Sequence, residues 1–179
     1  MLETTSNLWG RTSCGFNRSL TCGGSSGGEG ALIGLRGSIM GLGTDIGGSI
    51  RVPCAFNGLY GIRPTSRRIC YAGCVGTRKG QIAINAVIGP MAHSIRDIEL
   101  MCKVATDAQP WYHDVNTIKM DWAPRPPINR KLVVGLMISD NVVHPHPPVI
   151  RALYAAADSL REAGHEGMQK MANHSMYYS

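Results

Sequence analysis

Residues 23–30 read GGSSGGEG and residues 43–51 read GTDIGGSIR. Two glycine-rich stretches enclose three serines, Ser25, Ser26 and Ser49. Loops of this kind either offer backbone N–H groups to a bound anion or bring backbone up against a reacting carbonyl. A Walker-type phosphate cradle needs Lys followed by Ser or Thr after its last glycine, and GGSSGGEG has Glu29 there, whose carboxylate repels phosphate. The dinucleotide fingerprint also fails, because its G-x-G-x-x-G order, preceding strand and later ribose-binding acid are not reproduced. The remaining reading is nucleophilic catalysis at a serine. Gly47 and Gly48 immediately before Ser49 let the backbone turn so that several N–H groups converge on one spot, which is the geometry of an oxyanion hole. Neither motif satisfies the G-x-S-x-G elbow of another hydrolase fold. A serine nucleophile does not require histidine, since a lysine acting through a second hydroxyl also activates it.

Around these motifs the chain reads as α/β. EGALIGLRG (29–37) is expected to form a short helix packed closely through its glycines. SIMGLGT (38–44) follows as a buried strand running into the glycine-rich turn. Ile95, Ile98, Met101, Cys102 and Ala105 recur at helical spacing behind Ser94 and Asp97, a weak capping box. The proline-rich segment 107–130 reads as a surface loop, and KLVVGLMI (131–138) as a buried strand. After HPHPP, a second amphipathic helix carries Val149, Leu153, Ala156, Ala157 and Leu160 and stops at Gly164. Periodicity is lost in HEGMQKMANHSMYYS (165–179), where an α/β chain would normally enter another strand.

With 179 residues, the chain is long enough for one domain of ordinary size. Hydrophobic residues at 44% and charged residues at 17% indicate a globular rather than a disordered chain. The net charge of +6 is spread along the chain rather than gathered in a stripe, so no nucleic-acid partner is expected. No long apolar run and no signal-peptide pattern are present, so neither a membrane span nor secretion is expected, and a cytoplasmic location is. The six cysteines are then expected as free buried thiols, Cys54 among them. Cys70 and Cys74 lack a second pair, and His144 and His146 lack further ligands, so no metal is expected.

GGSSGGEGALIG (23–34) and GTDIGGSIRVP (43–53), with GLYGIRPTSRR (58–68) and IGPMAHSIRDIEL (88–100) following in order, resemble the amidase signature family. LTCGGSSGGEGALIG and NVVHPHPPVIRAL are similar to its fungal acetamidase-like, or general amidase, branch. The resemblance covers about residues 4–166 and implies the amidase signature fold, a mixed twisted sheet flanked by helices. It also implies an incomplete copy: a partial domain over 1–166 and an irregular tail over 167–179. By resemblance the activity is hydrolysis of a small-molecule carboxamide to a carboxylate and ammonia or amine, without cofactor or metal. Ser49 is implied as the nucleophile and Ser25, in a cis peptide, as the relay to a lysine. The amides of Ile46, Gly47, Gly48 and Ser49 are implied as the oxyanion hole, with Ser25 beside the substrate. Ser26 is then a supporting hydrogen-bonding residue, and Asp45 with Arg51 an ion pair holding the loop. The family's lysine lies well upstream of the relay serine, but here the first lysine is Lys79. The alternative is therefore a catalytically inactive remnant or an interaction piece.

Overall fold

The computed structural model describes residues 2–76, 80–123, 126, 128–140 and 142–170. They fall into two units, residues 1–124 and 125–179. The first unit opens with two small antiparallel pairs, β1 (Thr5–Ser6) with β2 (Gly10–Arg11) and β3 (Ser13–Cys14) with β4 (Asn17–Thr21). Then come α1 (Gly27–Gly34), β5 (Met40–Asp45), α2 (Arg51–Asn57), β6 (Tyr60–Gly61), β7 (Val87–Ala92) and α3 (Ile95–Asp107). A 3-10 turn, Pro110–Tyr112, lies in the segment expected as a loop.

The three-stranded sheet runs β5-β7-β6, with both pairings antiparallel and β7 in the middle. Met40 pairs with Ala92 at one end of the β5–β7 ladder and Asp45 with Val87 at the other. One apolar cluster joins Ile33 of α1, Ile50, Cys54 of α2 and Met91 of β7. A second joins Ala92, Ile98 and Cys102, with Met40, Ile62, Ile69 and Trp122 packed around it. Helix α1 does approach through its glycines. A Cβ on Gly30 would lie 2.9 Å from the Pro53 side chain, and one on Gly34 would lie 3.2 Å from Asn57. Ser94 caps α3 by accepting the Asp97 N–H at 3.1 Å and donating its hydroxyl to the Asp97 carboxylate at 2.7 Å.

Two elements carry prolines that conceal them. Pro53 is the third residue of α2, where a backbone N–H would have no intrahelical acceptor, so its loss costs the helix nothing. Pro90 lies in the central strand β7. Its carbonyl accepts the Ile62 N–H at 3.3 Å, and in an antiparallel ladder the N and C=O of one residue face the same neighbour. The proline nitrogen therefore faces the side of the short strand β6, and pairing with β5 needs no donor from it.

In the second unit, β8 (Val133–Leu136) and β9 (Glu166–Lys170) pair in parallel, connected by α4 (Pro147–Glu162). Helix α4 begins with prolines at its first two positions and is followed by Gly164 at φ +84°. Strand β8 falls inside the expected segment, but it alternates between exposed and half-buried positions instead of being buried throughout, Val133 being 83% exposed. The lost periodicity after Gly164 conceals β9, which the Glu166 N–H joins to the Leu132 carbonyl at 2.9 Å. Of the expected tail, residues 171–179 lie outside the described residues, as does Lys79.

Candidate active site

Strand β5 delivers Asp45 to the start of a tight turn, Ile46–Gly47–Gly48–Ser49, that leads into α2. The Asp45 side chain is fully buried. It accepts the Gly48 N–H at 2.7 Å and the Ile50 N–H at 3.2 Å, and its two oxygens receive Nε and Nη2 of Arg51 at 3.0 Å each. Arg63 Nε lies 3.7 Å from Asp45 Oδ1, with Arg63 Nη2 donating to the Asn85 carbonyl at 3.0 Å. Burial pushes the Asp45 carboxyl up, but the Arg51 guanidinium and the amides of Gly48, Ile50 and Arg51 outweigh it and hold the pKa at about 2. The carboxylate is thus a charged post around which the turn is wound.

That winding decides which amides remain available. Gly48, expected among the oxyanion donors, stands at φ +125° and gives its single N–H to the Asp45 carboxylate in the structure. Among the described residues, the N–H groups of Ile46, Gly47 and Ser49 have no protein acceptor.

The second motif is held against the first by Ser26. Its backbone N–H donates to the Ser49 carbonyl at 3.1 Å, and its hydroxyl accepts the Thr44 N–H at 3.2 Å and lies 3.3 Å from the Thr44 carbonyl. Ser26 stands at the N-cap position of α1, yet its hydroxyl bridges to β5 instead of capping the helix. The Gly24–Ser25 peptide is cis. Thr4, on the β1 side, grips this loop from outside: its hydroxyl donates to the Gly23 carbonyl and accepts the Gly27 N–H, both at 3.0 Å. A Cβ on Gly24 would lie 2.5 Å from the Glu3 carbonyl oxygen, so this close approach requires glycine.

The structure therefore brings Ser25, Ser26, Asp45, the Ile46–Ser49 turn and Arg51 into one region. It does not join Ser25 to Ser49 directly, since neither hydroxyl is hydrogen-bonded to a described residue. Thr4 and Arg63 escape sequence reasoning. Arg63 had a signal, its place in GLYGIRPTSRR, whereas Thr4 had none. All six cysteines are free, four of them buried. Among the described residues no cluster of three or more His, Cys, Asp or Glu side chains could hold a metal, and no helix is long and apolar enough to cross a membrane.

The family model described as Amidase matches residues 1–178. The chain belongs to the amidase family. A putative amidase of Schizosaccharomyces pombe is 52% identical over 160 residues, covering 89% of this chain and 30% of that protein. An acetamidase of Aspergillus oryzae is 44% identical over 170 residues, covering 91% of the chain and 31% of its own length. Among solved structures, a fatty acid amide hydrolase superposes with a TM-score of 0.88 at 40% identity, over 94% of this chain and 30% of that one. A 6-aminohexanoate cyclic dimer hydrolase gives 0.81 at 28% identity, over 97% of this chain and 36% of that one. The fold is that of the amidase signature enzymes, and this amidase chain spans about 30% of the length of the curated relatives it matches.

Proposed function

We propose that this chain carries the nucleophile and oxyanion hole of an amide-hydrolysing centre. The observation that supports it is the turn around Asp45, where the N–H groups of Ile46, Gly47 and Ser49 are undonated beside a Ser49 hydroxyl that has no described partner. Ser49 Oγ attacks the carbonyl carbon of a small carboxamide, and the resulting oxyanion takes hydrogen bonds from these amides. Each such donor lowers the barrier by about 3 kcal/mol in comparable sites. Ser25 relays the proton from Ser49 to a base and on to the departing amine; water then cleaves the acyl ester and releases the carboxylate. No cofactor enters any of these steps.

The base is a lysine in the family, and the first lysine of these 179 residues is Lys79, after the nucleophile. An unassisted hydroxyl is a weak nucleophile, while an oxyanion hole with binding alone retains about 10³-fold catalysis over water. The second reading, an inactive remnant, rests on the place of this lysine after the nucleophile. Treatment with a serine-directed fluorophosphonate tests the assignment. Slow labelling confined to Ser49 and lost in Ser49→Ala is expected, with no measurable turnover of acetamide. Labelling that persists in Ser49→Ala overturns Ser49 as the nucleophile, and rapid acetamide turnover overturns the need for a base from elsewhere.

A further inference from the structure

Asn57, the last residue of α2, is 1% exposed, so its carboxamide is buried at the end of the helix far from Ser49. Its Nδ2 donates twice, to the Cys22 carbonyl at 2.9 Å and to the Pro53 carbonyl at 2.8 Å. Two carbonyl acceptors around one terminal atom identify that atom as the nitrogen. Oδ1 is buried too, and it has no hydrogen-bond partner among the described residues. An amide buried with an unpaired oxygen is destabilising relative to a leucine of similar size, so packing alone does not account for asparagine here. The use of this side chain lies in its two donated bonds. Helix α1 leaves room for it: a Cβ on Gly30 would lie 3.2 Å from Nδ2.

The Cys22 carbonyl is where the loop Cys22–Gly23–Gly24–Ser25–Ser26 begins. From there the loop lies against the first turn of α2, since a Cβ on Gly23 would stand 3.1 Å from both the Pro53 nitrogen and the Val52 side chain. At its other end the Ser26 N–H reaches the Ser49 carbonyl at 3.1 Å. Ser25 thus sits between two anchors, and both belong to the stretch 49–57 that carries Ser49 itself. The Ser26 bond fixes one end of the loop beside the nucleophile. Asn57 fixes the other end along the helix that follows it.

We infer that Asn57 is a positioning residue for the reacting centre: through its bond to the Cys22 carbonyl, the buried carboxamide holds Ser25 in place against Ser49. This inference rests on the reading of Ser49 as the nucleophile and Ser25 as its relay.

The test measures fluorophosphonate labelling of Ser49 in the 179-residue chain over a range of reagent concentrations, each rate being expressed per folded molecule from urea unfolding. Asn57→Leu removes both donors at similar size, and Asn57→Asp keeps the shape while replacing them with a carboxyl. Each is expected to lower the maximal labelling rate about tenfold, the worth of one hydrogen bond, with the half-saturating reagent concentration unchanged. Ser25→Ala is expected to slow labelling as well. Adding Asn57→Leu to Ser25→Ala is expected to slow it no further, because residues that act as one unit are not additive. Thr106→Val, which deletes an equally buried hydroxyl bonded within α3, is expected to lose stability and keep the parental rate. Three results overturn the inference and leave the Ser49 reading intact: a parental rate in both Asn57 variants, an undiminished Asn57→Leu effect in the Ser25→Ala chain, or failure of both variants to fold where Thr106→Val folds. No label at Ser49, label that persists in Ser49→Ala, or Ser25→Ala labelling at the parental rate removes the reading beneath, and the inference falls with it.

Discussion

The backbone N–H of Ser26 donates to the carbonyl of Ser49 across 3.1 Å, tying together two motifs that are separate in the chain. The Ser26 hydroxyl meanwhile accepts the Thr44 N–H and faces the Thr44 carbonyl, so this residue holds α1, β5 and the Ser49 turn in one arrangement. The Ser49 hydroxyl has no such bond. Ser26→Ala is therefore expected to destabilise the chain by about 1–2 kcal/mol, since it orphans an amide in a packed region. Ser49→Ala is expected to stay within about 0.5 kcal/mol of the parent. Urea unfolding of the two variants checks this, and equal losses would contradict it.

Asp45 makes stability depend on pH in a definite direction. Its carboxyl is held at about 2 in the folded chain against an ordinary 3.8. Between these values the unfolded chain binds a proton that the folded chain refuses, so the stabilisation is complete above about pH 4 and is lost as the pH falls towards 2. Asp45→Asn removes this component and is expected to flatten the curve across that window, measured as urea midpoints at a series of pH values. The same substitution is expected to cost about 3 kcal/mol at neutral pH, because Gly48 N–H and the Arg51 fork lose their charged acceptor.

The glycines of α1 are not equivalent. A Cβ on Gly30 meets Pro53 at 2.9 Å, whereas one on Gly28 meets nothing within 4 Å. Gly30→Ala is expected to cost about 1–3 kcal/mol by forcing α1 from α2. Gly28→Ala is expected to gain about 0.4–1 kcal/mol by restricting the unfolded chain. Thermal midpoints moving in opposite directions are the predicted readout.

Thr4 gives a test of how far the loop depends on its outer clamp. Thr4→Val keeps the shape but leaves the Gly27 N–H and the Gly23 carbonyl without the hydroxyl. The expected cost is about 1–3 kcal/mol. Fluorophosphonate labelling of Ser49 is expected to slow as well, since the Ser25 loop loses its anchor. An unchanged labelling rate would show that Thr4 serves stability alone.

Local pattern was enough to reveal α1, α3, α4 and strand β5, because their apolar residues, caps and glycines recur at spacings that neighbouring residues set. Helix α2 and strand β7 were hidden by Pro53 and Pro90. Whether a proline breaks an element depends on whether its missing N–H had an acceptor, and that is settled by neighbours distant in sequence: the Ile62 N–H takes up the Pro90 carbonyl, and the amides ahead of Pro53 turn to Asp45. The two serine motifs, their order and their family resemblance were equally plain in the residues themselves. The division of labour within them was not. Gly47 and Gly48 are identical as letters, yet one N–H is undonated and the other is bound to a carboxylate, since burying Asp45 between Arg51 and Arg63 made that carboxylate the strongest acceptor within reach. The bonds from Gly48, Ile50 and Arg51 to Asp45 are local to the turn; what tertiary packing adds is the burial of that carboxylate and the approach of Arg63 from another segment.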